Sequence, residues 1–109
     1  MLQALFGNET AARTLLYLQS QGDGYARGIA TTWDMPVSMV QKQLIRLERD
    51  GVLVSQLKGR TRMFQWNPRF ALRAELSALL EKALLLQSTQ QKAQLTSERR
   101  RPRRTGKAL

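Results

Sequence analysis

The densest local chemistry in the chain is Lys58-Gly59-Arg60-Thr61-Arg62, three cations and a hydroxyl around one glycine. Such a run is either idle solvated surface or a device for holding something negative. A second polar group lies upstream, in Ser38, Gln41 and Lys42. Neither group has the makings of bond-breaking chemistry. The sequence contains no Cys and no His, so the usual nucleophile, general base and transition-metal ligand are missing. The 8 carboxylates are scattered. The closest pairs, Glu48 with Asp50 and Glu75 with Glu81, sit among Arg and Lys on expected helices and read as solvated surface charge. No enzymatic activity, no metal site and no cofactor are expected.

Charge points to the partner instead. The 18 Lys and Arg against 8 Asp and Glu give a net +10. Residues 1–88 hold 11 basic and 7 acidic residues, a net +4, and residues 89–109 hold 7 and 1, a net +6. A small, strongly basic protein suits a polyanion. An acidic protein or anionic lipid fits the same charge. The 109 residues suffice for one domain. No apolar run approaches the roughly 18 residues of a membrane span, and no signal-peptide pattern opens the chain. A cytoplasmic, nucleoid-associated protein is expected.

The basic groups need elements to hold them. In "LQALFGNETAARTLLYLQSQG", Asn8 suits an N-cap, and Ala11, Ala12, Leu15, Leu16 and Leu18 form a helical apolar face. The stretch Gln21 to Gly24 stops that helix. "YARGIATTWDMP" gives a helix of about two turns on Ile29, Ala30 and Trp33, broken at Asp34-Met35-Pro36. Pro36 then opens "PVSMVQKQLIRLERDG". There Val37, Val40, Leu44 and Leu47 make one apolar stripe, and Gly51 is the C-terminal stop. At about 100° per residue, Ser38, Met39, Lys42, Ile45, Arg46 and Arg49 fall on the opposite side, flanked by Gln41 and Gln43. Next, Leu53, Ser55 and Leu57 alternate with Val54 and Gln56, and Phe64 shares a strand face with Trp66. This is a hairpin turning at Gly59. Trp33 and Trp66 read as core residues. The last helix is expected from near Pro68 to about Gln94, on Leu72, Leu76, Leu79, Ala83 and Leu86, widened by Leu80, Leu84 and Leu85. From about Thr96 the chain has no apolar periodicity and dense charge, a disordered basic arm.

A short helix, a tight turn and a longer helix make a helix-turn-helix, and a hairpin directly after it makes the motif winged. The expected fold is mainly α with a small β-hairpin: a winged helix-turn-helix over 1–68, a long dimerisation helix over 69–95 and a tail over 96–109. The segment "IATTWDMPVSMVQKQLIRLERDGVLVSQLKGRTRMFQWNP" resembles the core of the ArsR/MarR-like winged-helix transcription factors. The similar features are Ala30 in the short helix, "MVQKQLIRLERDGVLV", and a basic wing ending in an aromatic strand and Asn67-Pro68. "LFGNETAARTLLYL" is similar to the first helix of small winged-helix proteins of this group. The resemblance covers about residues 2–88. It implies a bacterial, homodimeric regulator of transcription.

By that resemblance, the base-reading positions of double-stranded DNA are Val37, Ser38, Gln41 and Lys42, with Met39 nearby. Gln41 suits adenine, Lys42 the acceptors of guanine, and Val37 or Met39 a thymine methyl. Arg46, Arg49, Lys58, Arg60, Thr61 and Arg62 are assigned to phosphates or the minor groove, which position without specifying. Metal-sensing ArsR members need Cys or His ligands, and this chain has neither. The last helix carries more leucine than a core of this size covers, so Leu80, Leu84, Leu85 and Leu86 are expected to stay partly exposed in a monomer. Leu72, Leu76, Leu79, Leu80, Ala83 and Leu86 are assigned to a dimer interface, supported by the first helix. Two alternatives stand beside this reading. One is a non-specific DNA-architectural or RNA-binding winged helix. The other is an antitoxin-like module holding an acidic protein partner.

Overall fold

The computed structural model describes residues 2–87. The basic tail expected over 96–109, and the part of the last helix expected beyond residue 87, lie outside the described residues. The order is α1 (Leu2–Phe6), α2 (Glu9–Gln21), β1 (Asp23–Gly24), α3 (Ala26–Trp33), α4 (Val37–Arg49), β2 (Leu53–Lys58), β3 (Thr61–Trp66) and α5 (Arg73–Leu85). The described residues are mainly helical, with one three-stranded antiparallel sheet among them in the order β1-β3-β2.

Each helix boundary has a local cause. Asn8 extends its backbone and accepts a hydrogen bond from the Ala11 amide at 2.6 Å, which caps α2. α3 ends at Asp34, which takes the left-handed conformation with φ 55°. The Met35 amide then donates to the Ala30 carbonyl at 2.9 Å and the Asp34 amide to the Thr31 carbonyl at 3.3 Å. These are the two bonds of a Schellman stop, and they aim the chain at Pro36, which opens α4. α4 closes in the same way. Gly51 has φ 84°, Val52 donates to Leu47 and Gly51 to Glu48. A side chain there would have to adopt a conformation that L-residues rarely take.

The core collects one face of each major helix. From α2 come Leu15, Leu16, Tyr17 and Leu18, from α3 Ile29, Ala30 and Trp33, and from α4 Val40, Leu44 and Leu47. Leu53 of β2, Phe64 of β3, and Leu80 and Ala83 of α5 complete it. Arg13 of α2 lies 5.2 Å from the centre of the Trp33 ring, a cation–π contact between α2 and α3.

The hairpin has a two-residue loop, because Lys58 pairs with Thr61. Gly59 takes φ 66° and Arg60 does not have positive φ. That sign pattern belongs to a type II′ turn, whose twist matches the strands.

The fold corrects four expectations. Gln21 to Gly24 was expected only to stop a helix, but Asp23 and Gly24 pair with Gln65 and Phe64 as a third strand. A two-residue strand carries no alternation that could announce it. The first segment divides into α1 and α2, with Leu2 of α1 buried. α5 begins at Arg73, not near Pro68. Asn67 accepts from the Arg69 amide at 3.0 Å and Phe70 bonds back to Asn67, so the chain turns before helix can start. Finally, Leu80 was expected to stay partly exposed in a monomer, and it is fully buried.

Candidate nucleic-acid interface

α4 divides cleanly. Val40, Leu44 and Leu47 are buried and Val37 is half-buried, all packed into or against the core. Ser38, Met39, Gln41, Lys42, Ile45 and Arg49 are exposed on the other side. Between Val37 and Leu47 the helix carries no carboxylate. The nearest acid before it is Asp34, exposed in the turn. Met39 is 46% exposed and Ile45 is 50% exposed. Apolar area therefore lies among the polar donors, able to meet a base methyl group.

The assigned residues are not equally available. Val37 is half-buried against the core, which leaves only part of it open on the reading side. Its place on the apolar stripe competes with its place in the first helical turn. Arg46 is half-buried and its Nε donates to Gln43 Oε1 at 3.0 Å. Arg49 lies 3.6 Å from Asp50, with both side chains well exposed, so the pair holds Arg49 weakly. Lys42 has no hydrogen-bond or ion-pair partner among the described residues, and neither do Lys58 and Arg60.

The hairpin is tied to α4 by a contact that the sequence did not announce. The Ser55 hydroxyl donates to Glu48 Oε2 at 2.5 Å, and Arg62 Nη1 donates to Ser55 Oγ at 3.0 Å. Strand register explains the second bond. Leu57 faces Arg62 and Ser55 faces Phe64, so Arg62 and Ser55 project on one side of the sheet. Thus Arg62 leans toward the end of α4, while Lys58, Arg60 and Thr61 remain exposed at the tip. Leu57, 61% exposed, is the apolar part of that tip. The base of the hairpin is held by Asn67, whose Nδ2 donates to the Gly51 carbonyl at 2.9 Å and whose amide donates to Val52. Glu48, Ser55 and Asn67 are therefore positioning residues absent from the expected site. Only their polarity within apolar alternations could have pointed to them.

The expected dimer residues separate into two groups. Leu80 and Ala83 are buried in the chain's own core, and Leu76 and Leu84 are half-buried against it. Leu80 and Ala83 are corrected to core residues, since α5 turns this side onto α2, while Leu84, outside the assigned interface, keeps the partial exposure expected of it. Leu72, Leu79 and Leu86 are exposed, as is Leu85. Gln19 of α2 holds α5 in place, donating to Glu81 Oε1 at 3.0 Å and accepting from the Ser77 hydroxyl at 3.2 Å.

No group of three or more Asp and Glu among the described residues could hold a metal ion. No helix among them is long and apolar enough to cross a membrane. No family model, curated protein or solved structure matches this chain. The resemblance to ArsR/MarR-like regulators therefore rests on the residues quoted above.

Proposed function

We propose that this chain is a winged helix-turn-helix protein of bacterial regulator type, which binds specific double-stranded DNA sequences as a homodimer. The single observation that carries this reading is the exposed face of α4. It offers Ser38, Gln41 and Lys42 with Met39 and Ile45, with no carboxylate on the helix from Val37 to Leu47, directly before a hairpin with a cationic tip. In this reading α3, the Asp34–Pro36 turn and α4 form the helix-turn-helix. α4 enters the major groove, where Gln41 and Lys42 read base edges. Lys58 and Arg60 reach flanking phosphates or the minor groove. Arg62, held by Ser55, sets the pitch of the hairpin against α4 and contacts backbone only from that fixed position. The element order supports the reading as well, because β1, just before α3, pairs with β3 and adds a third strand to the hairpin.

Selection from a random duplex pool at near-physiological salt, with the full chain and with Lys42→Ala in parallel, tests the proposal. Enrichment of an inverted repeat with half-sites roughly 34 Å apart is expected. Retention of DNA without enrichment means a non-specific, salt-set binder. Failure to retain any duplex points to a protein partner.

A further inference from the structure

The outer side of α5 is apolar beyond the needs of its own core. Leu79 is 41% exposed although Leu80 beside it is fully buried. Leu72, Leu79 and Leu86 are spaced by seven residues, so they form one line along the helix. At about 100° per residue, Glu75 and Lys82 both fall on one flank of that line, also seven residues apart. Both are exposed and neither has a partner among the described residues.

The pattern is self-complementary in one orientation only. Leu72 and Leu86 are equally far from Leu79. If a second copy runs antiparallel about a two-fold axis at Leu79, Leu79 meets Leu79, and Leu72 of each copy meets Leu86 of the other. The same operation brings each Glu75 level with Lys82 of the second copy, within about 1.5 Å along the axis. Both lie on the same side of the pair, so two opposite-charge contacts flank the leucines. A parallel pairing would instead carry Glu75 and Lys82 of the two copies to opposite sides of the seam, where neither meets an opposite charge. We infer that α5 docks antiparallel on α5 of a second copy, centred on Leu79, with Glu75 and Lys82 fixing orientation. This rests on the dimeric part of the proposed function, and not on DNA binding.

The lack of native cysteine permits a clean test in the full chain. The variants Leu79→Cys and Leu72→Cys are oxidised separately, and Leu72→Cys is also oxidised mixed with Leu86→Cys. A disulfide needs Cα atoms within about 7 Å. The inference expects rapid covalent dimers from Leu79→Cys and from the mixture. It expects none from Leu72→Cys alone, whose two sites would lie about 21 Å apart along the axis. Glu75→Lys and Lys82→Glu should each weaken self-association on the order of tenfold, and the double exchange should restore it. Rapid cross-linking of Leu72→Cys to itself, or no rescue by the double exchange, overturns the pairing while a dimer in sedimentation leaves the dimeric reading standing. A chain that sediments as a monomer at all concentrations overturns both.

Discussion

α4 and α5 are both 13 residues long, and they use their apolar side chains in opposite ways. α4 buries Val40, Leu44 and Leu47 and leaves a polar, cationic face. α5 buries only Leu80 and Ala83, while Leu79 and Leu85 of the helix stay exposed beside Leu72 and Leu86 at its ends. In α4 the stripe and the core coincide, so the remaining face is free to carry recognition. In α5 the apolar residues outnumber the sites that the core offers. A helix whose polar face is cationic asks for an anion. A helix whose outer face is leucine asks for another apolar surface. The two surfaces therefore suit two kinds of partner, and each can be removed without the other.

The contrast within α5 gives the largest expected effect. Leu80→Ala should lower the unfolding free energy by about 3 kcal/mol, since it empties a filled core site. Leu79→Ala should change the unfolding of dilute chain by under about 0.5 kcal/mol. Equal effects in urea titrations would erase the distinction between the two faces. Next comes the reading face. Lys42→Ala should leave unfolding unchanged and lower discrimination between preferred and random duplexes by about 1–3 kcal/mol in competition binding. An equal loss on every sequence would reassign Lys42 to phosphate contact. A smaller effect belongs to the hairpin. Arg60→Ala combined with Arg62→Ala should weaken binding to all duplexes alike and flatten the log–log salt slope by about 2. An unaltered slope would take the hairpin off the DNA. The smallest concerns the turn. Asp34→Asn keeps a residue that tolerates φ 55° but removes the exposed carboxylate that precedes the reading helix. Stability should hold within about 0.5 kcal/mol while affinity rises several-fold at low salt. A drop in affinity would mean that Asp34 itself makes a productive contact.

The elements with a strong 3.6-residue pattern were legible in the sequence, as were the stops. Asn8, Pro36, Gly51 and Gly59 each do locally what their chemistry requires. The exposed face of α4 followed from its stripe, apart from Val37, whose two assignments conflicted and which packing leaves half-buried. What stayed hidden depended on long-range contact. β1 exists only because β3 lies beside it. The start of α5 was set by Asn67, whose side chain bonds across to Gly51 and competes with helix. Leu80 could not be told from Leu79 by periodicity, since both lie on the leucine-rich side and only the position of α2 separates them. The bond from Glu48 through Ser55 to Arg62 joins residues on three elements, and no spacing encodes it.

The central claim is that α4, and not α5, meets DNA. Because the chain has no native cysteine, a photo-activated cross-linker can be placed at Met39→Cys or at Leu79→Cys in the full chain and irradiated with bound duplex. The account predicts DNA adducts mapping to base positions from residue 39 and none from residue 79. Adducts from residue 79 with none from residue 39 would contradict it.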